Sequence, residues 1–184
     1  GVTDDTAVLQ AFDEAGGSLI DGGIVRVRSS IALTSDYEFK NGGVIAVDDG
    51  FTVTWSGAIT ATAIKCLHGD FKLTKSHRLS EIKVAWFGAT SANLTETLGQ
   101  PNAVDDVVLG NKNAKAIRQA ANMCKFPTVS DGIYITPLLR LLNGLCTVDD
   151  DDNDGVILSV GSYFTVKGYG DSSVLRPVNG AKTL

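Results

Sequence analysis

Residues 41–55 read Asn41-Gly42-Gly43-Val44-Ile45-Ala46-Val47-Asp48-Asp49-Gly50-Phe51-Thr52-Val53-Thr54-Trp55. Two short apolar runs stand behind two turn signals, NGG and DDG, because Gly and Asn tolerate the positive φ that tight turns demand. The pattern predicts strands at 44–47 and 51–55. Working outward, period-two alternation from 18 to about 80 predicts further strands at 24–28, 31–33, 37–39, 58–61 and 71–73. In 24–28 an imperfect alternation puts Ile24 and Val27 near a core and Arg26 and Arg28 toward water. Strands every eight or so residues predict a small β-sandwich-like module or β-roll.

Ahead of these strands, Thr3-Asp4-Asp5-Thr6-Ala7-Val8-Leu9-Gln10-Ala11-Phe12 predicts a short helix. Thr3, Asp4 or Asp5 can cap its first N–H groups, and Val8, Leu9 and Phe12 make an apolar stripe at helical spacing. Gly16-Gly17 ends it. Gly1 stands where an initiator Met would, so the expectation is a piece of a longer chain.

Beyond the strands, 80–89 (SEIKVAWFGA) reads as a strand or extended linker carrying Trp86 and Phe87. Residues 90–113 are polar and bear Gly and Asn, with a short apolar patch at 104–109, and read as a loop or insertion. A helix is expected at 112–125, its buried face Ala116, Ile117, Ala120, Ala121 and Met123. Strands are expected again at 132–136, 138–142, 156–160, 163–167 and 174–176. The organisation is then 1–80, an entry helix and small β module; 81–111, a linker and loop; and 112–184, a cap helix followed by strands.

Composition narrows the function classes. The chain has 184 residues, with 16 Lys+Arg against 21 Asp+Glu and a net charge of −5. That balance argues against a nucleic-acid-binding surface, which wants clustered cations. No apolar run approaches the ~20 residues that cross a bilayer. Gly is 20 of 184 and Pro only 4, which suits many tight turns between short strands.

Several segments together resemble a known family. Gly1-Val2-Thr3-Asp4-Asp5-Thr6-Ala7 resembles the entry motif of the pectate-lyase-like right-handed β-helix superfamily. Val84-Ala85-Trp86-Phe87-Gly88-Ala89 resembles the WFGA segment that precedes such a helix in bacteriophage tailspikes. Asn41 to Val47 with Phe51 to Ile59 is similar to the small β-domain upstream of WFGA. Gly132-Ile133-Tyr134-Ile135-Thr136 and Phe164 to Pro177 resemble the first coils of a β-helix. The chain departs from the family in order: the GVTDDT string stands before the small β-domain, and 90–111 is longer than the family's run from WFGA into the helix.

The resemblance implies a mostly β fold: a small β-sandwich-like module, a cap helix, then the first coils of a right-handed parallel β-helix. It implies a tailspike component in the virion, made in the bacterial cytoplasm, that links the virion-attached part to a β-helical body binding host polysaccharide. Implied partners are two further copies in a homotrimer, other virion tail or baseplate proteins, and host surface polysaccharide through the rest of the chain. No nucleic acid, membrane or cofactor is expected. The second reading is a polysaccharide depolymerase, hydrolase or lyase, with its active site mostly outside these residues. The architectural residues expected are Trp86 and Phe87 at the module junction, Ile117 and Ala121 on the cap helix, and Ile133, Ile135, Val166 and Val174 inside the coils.

Chemistry-bearing residues give little more. Asp150, Asp152, Asp154 and Gly155 fit the start of a calcium loop, but position twelve, which should supply a bidentate Glu, is Gly161. The expected reading is a solvated acidic turn and no metal. Asp4/Asp5, Asp48/Asp49 and Asp105/Asp106 are carboxylate pairs by adjacency alone, suited to caps and turns rather than to glycoside hydrolysis. His68 and His77 lack zinc spacing. Cys66, Cys124 and Cys146 form no CxxC pair and are expected to be reduced, mostly buried thiols.

Overall fold

The computed structural model describes residues 3–61, 65–74, 76–91, 103–124, 137–142, 144–148, 165–170 and 173–177, with backbone alone at 103–108, 144–147, 174, 176 and 177. The fold is mostly β with two α-helices among the described residues. Nine strands fill the first part: β1 (Leu19–Asp21), β2 (Ile24–Val27), β3 (Ile31–Leu33), β4 (Tyr37–Lys40), β5 (Val44–Val47), β6 (Thr52–Trp55), β7 (Ile59–Ala61), β8 (Leu67–His68) and β9 (Asp70–Leu73).

Their pairing follows one rule. Each strand pairs in parallel with the strand three places on, giving the sheets β1-β4-β7, β2-β5-β8 and β3-β6-β9. The chain therefore visits three sheets in turn and returns to the first one strand further along. Three successive strands make a rung of about 20 residues, the scale of a stacking repeat.

This corrects the expected β-sandwich-like module. Alternation and turn residues look alike whether a turn closes a hairpin or makes a corner between sheets, and here they make corners. Asn41 and Gly42, at φ 48° and 76°, turn the chain from β4 into β5. The residues that pair lie a rung apart, where a search for neighbouring strands does not look.

Register stacks like on like along the interior. Leu33 aligns with Trp55 and Trp55 with Leu73, while Ile31, Val53 and Phe71 form a second column. Val25, Ile45 and Leu67 form a third. Tyr37 and Trp55 meet edge to face at 5.2 Å, and Trp55–Phe71 and Phe71–Phe87 follow at 6.3 and 6.0 Å. Each such side chain contributes roughly 1.5–3 kcal/mol when buried, and it is buried only because the next rung covers it.

The first rung is covered by α1 (Thr6–Glu14). Asp5 donates its N–H to the Arg26 carbonyl at 2.8 Å and accepts the Arg26 N–H on Oδ2 at 3.0 Å, so it continues the open edge of β2. Thr6 Oγ1 accepts from the Arg28 N–H at 2.8 Å. Unpaired edge groups are otherwise a liability. Asp5 sits at the N-cap position without a side-chain cap bond, and Asp4 instead takes the Thr6 N–H at 3.0 Å. Of the expected apolar stripe, Leu9 is buried, whereas Val8 is 70% exposed.

After β9 come β10 (Glu81–Lys83) and a 3-10 turn, Val84–Phe87, in which all four residues are buried. The Cys66 N–H donates to the Trp86 carbonyl at 2.9 Å, continuing the line of β8. The WFGA segment is thus packed core. The helix that follows, α2, spans Ala103–Cys124 and runs across the expected boundary at 111/112. It starts nine residues earlier than the sequence pattern suggested. Gly110 and two Asn residues lower helix propensity by about 1 kcal/mol or less each, and packing of the helix outweighs that cost. Asn113, one of those residues, is fully buried: its Oδ1 accepts the Thr90 N–H at 2.9 Å and its Nδ2 donates to the Thr90 carbonyl at 3.0 Å.

α2 packs on β9, β10 and the 3-10 turn, and on two further strands, β11 (Leu138–Arg140) and β12 (Gly144–Val148). Ile117 and Ala121 are buried on its inner face. With β13 (Val166–Lys167) and β14 (Ser173–Pro177), the pairing is again parallel: β10-β11-β13 and β12-β14. One hydrophobic cluster runs from Leu9 through Trp86, Phe87 and Ile117 to Leu139 and Val148. Val166 corrects an expectation, since it is 39% exposed rather than inside. A two-residue strand at the last rung of its sheet has no later described strand to cover it. Ile133, Ile135 and the side chain of Val174 lie outside the described residues.

Candidate functional site

The outer face of β2-β5-β8 carries a set of polar side chains around an open cleft. Register puts Arg26 beside Ala46 and Ala46 beside His68. Alternation explains the direction: Val25 and Val27 of β2 face inward, so Arg26 between them faces out, and Ile24, expected near the core, is on the outer face too and 63% exposed. The small Ala46 between two longer neighbours leaves a cleft of about 690 Å³, floored by Ala46 and Val47 and rimmed by Arg28, Asp48, Asp49 and the half-buried Phe51.

The rim is held by charge. Arg28 Nε lies 3.0 Å from Asp48 Oδ2, and Arg26 Nη1 lies 3.4 Å from Asp48 Oδ1. One carboxylate, next to β5 on the second rung, therefore clasps two guanidiniums of the first. His68 is pushed below the usual histidine range, first by burial and then by Lys65 and Lys115, with Asp49 pulling the other way. At neutral pH it is an uncharged imidazole offering one donor and one acceptor.

Donors, acceptors and one aromatic edge in an open cleft suit recognition of a polyhydroxylated ligand. Asp48 is engaged by both arginines. Cys66 and Cys124 are buried, and burial raises both thiols to about 12, which leaves no thiolate nucleophile there. His77 Nδ1 accepts the Leu79 N–H at 3.2 Å and serves a turn. Among the described residues no group of three His, Cys, Asp or Glu can hold a metal ion, and no helix is long and apolar enough to cross a membrane. The calcium candidates Asp150, Asp152 and Asp154, with the side chains of Asp105 and Asp106, lie outside the described residues.

The sequence pattern treated Arg26 and Arg28 as water-facing, Asp48 as a turn residue and His68 as an isolated histidine. What it missed is that 26, 46 and 68, and also 28 and 48, are about one rung apart. A search at that period brings them together. Compared with known proteins, the chain matches no family model, no curated protein and no solved structure.

Proposed function

We propose that the chain is a structural and receptor-binding part of a bacteriophage tailspike, of the pectate-lyase-like right-handed β-helix superfamily. It would link a virion-attached part to a β-helical body that binds host polysaccharide. The observation that carries this reading is the pairing of each of the first nine strands with the strand three places on. That pairing buries one continuous core and leaves long parallel faces, such as the Arg26–Ala46–His68 face, for a chain-like ligand. Two further observations support the reading: Thr3–Ala7 leads into the covering helix, and Val84–Ala89 forms the buried turn after β10. Assembly as a homotrimer in the virion, in contact with other tail or baseplate proteins, belongs to the same reading.

The second reading is a polysaccharide depolymerase acting on capsule or O-antigen. It is less favoured because Asp48 is tied to two arginines, and glycoside hydrolysis needs a carboxyl pair free to act as acid and as base or nucleophile.

The test is light scattering on the purified chain, together with adsorption to bacteria that bear or lack surface polysaccharide. A trimer that binds only the polysaccharide-bearing cells is expected. A clean monomer indifferent to the polysaccharide sinks the proposal, and release of oligosaccharides transfers it to the depolymerase reading.

A further inference from the structure

The first rung is covered unevenly. Asp5 pairs with the edge of β2, and just beyond β3 the Thr34 and Ser35 N–H groups go to Asp13 of α1. β1 differs, because it stands first in its sheet with β4 on one side only. The Ser18 carbonyl accepts the Glu38 N–H and the Gly22 N–H donates to the Lys40 carbonyl. Alternation then aims the main-chain N–H and C=O groups of Leu19 and Asp21 away from β4. Among the described residues nothing pairs with them.

Along that edge, between α1 and the strands β1 and β2, runs a groove of about 440 Å³. Val8 and Phe12 wall it on the helix side, Leu19 and Ile24 on the strand side. All four are exposed apolar side chains, Val8 to 70% and Ile24 to 63%. The Phe12 ring is held in place: it lies against Gly17, where a Cβ would strike it, and 6.2 Å from the Tyr37 ring. Asp5 and Asp21 also line the groove, and among the described residues no Lys or Arg does. Asp5 Oδ2 takes the Arg26 main-chain N–H and Asp21 Oδ1 takes the Asn41 amide at 2.6 Å, both neutral donors. A free strand edge, apolar walls and carboxylates therefore coincide at one end of the stack.

We propose that the free edge of β1 takes an extended segment of a partner protein as an added strand, with apolar side chains alternating along it and Lys or Arg at its ends. In strand addition the main chain supplies affinity and pockets for alternate side chains supply specificity. Leu19 and Asp21 each offer a main-chain donor and acceptor for the first part. The groove supplies the second, because a strand laid on β1 runs beside α1 and covers Val8 and Phe12, which water otherwise wets. Charge selects the ends of the segment: carboxylates with no lining cation favour a basic peptide over an acidic one. The site shares no residue with the polar cleft, so it is independent of the glycan-binding reading.

The experiment titrates the intact chain with the end-blocked peptide KVTITVK, with its charge-reversed form EVTITVE, and with KVTPTVK, whose proline breaks strand pairing. KVTITVK is expected to bind, and both controls to bind about tenfold or more weakly. At saturation, amide exchange slows at Leu19 and Asp21, the two N–H groups that only an added strand can occupy. Val8→Arg and Ile24→Lys, both at exposed positions, each lower affinity about tenfold with an unchanged melting curve. No binding of KVTITVK, equal binding of the proline or charge-reversed peptide, unprotected amides at 19 and 21, or indifference to both variants each overturns the site. Light scattering of the free chain separates a second copy from a partner. If Val8→Arg breaks an assembly into smaller species, the edge is an interface between copies and the proposal falls. Failure of the peptide leaves the tailspike reading to its own test of adsorption and assembly.

Discussion

Tyr37 donates its phenolic hydrogen to Asp13 Oδ1 at 3.1 Å, joining the covering helix to the second rung of the stack. The same carboxylate accepts the Thr34 N–H at 2.9 Å and the Thr34 hydroxyl and Ser35 N–H at 3.0 Å each. Burial alone would raise the Asp13 pKa, but these hydrogen bonds outweigh it and hold the group below the usual aspartate value. The charge on Asp13 thereby stabilises the docking of α1. A lowered folded pKa means that this stability is complete above the unfolded value near 3.9 and is lost as pH falls through the folded value.

Asp13→Asn turns an amide donor toward groups that already donate, and it should cost about 2–3 kcal/mol by urea unfolding at pH 7. Between about pH 4 and pH 2 the native chain should lose stability that the variant no longer has to lose, so the two curves converge. Parallel curves across that range would show that Asp13 does not anchor the helix through its charge.

Trp55 separates size from polarity. Its ring is fully buried among Tyr37, Phe39 and Phe71, yet its Nε1 has no hydrogen-bond partner among the described residues. Trp55→Ala should cost about 3–5 kcal/mol through the cavity it leaves. Trp55→Phe keeps most of the aromatic contact and removes a buried N–H that gains nothing, so its loss should stay within about 1.5 kcal/mol. Calorimetric melting of the two variants checks the ordering, and equal losses would contradict it.

Gly57 answers to space and Gly42 to backbone angle. A Cβ at Gly57 would run into the Ser35 carbonyl of the preceding rung, whereas a Cβ at Gly42 meets nothing within 4 Å although φ is 76°. Gly57→Ala must push rungs apart and should cost about 1–3 kcal/mol. Gly42→Asn should cost less than about 1 kcal/mol, because Asn tolerates the left-handed region. Thermal melts of both check the contrast.

The same two glycines mark how far the sequence could be read. Strand positions at 44–47 and around 52–55 were legible because alternation and turn residues are local signals. Which strand pairs with which was not, because the partner of Val53 is Phe71 rather than a residue across the nearest turn. The start of α2 was hidden for a related reason: Asn113 looks like a loop residue until Thr90 supplies its partners from another segment. The polar cleft was invisible as a site because Arg26, Asp48 and His68 come from three separate segments. Lys83, Arg140 and Lys167 are a similar case, since they come side by side only through register.

His68 reports directly on that assembly. Burial is the first cause of its lowered pKa, and Lys65, on the stretch leading into β8, is the next. Lys65 is itself lowered by burial and by Lys112 and Lys115 of α2, so the imidazole senses charge that the helix brings to the sheet. Lys65→Gln should therefore raise the His68 pKa toward the ordinary histidine value, while Asp49→Asn, which removes the carboxylate pulling it upward, should lower it further. Because the folded value is depressed for a cationic acid, His68 resists protonation in the folded chain. Acidification through the ordinary histidine range, near pH 6.5, then costs stability, and Lys65→Gln should shrink that cost. NMR titration of the His68 ring protons in the native chain and the two variants checks the direction of each shift. Movement of both variants the same way would mean that the helix and the turn do not act on the cleft through charge.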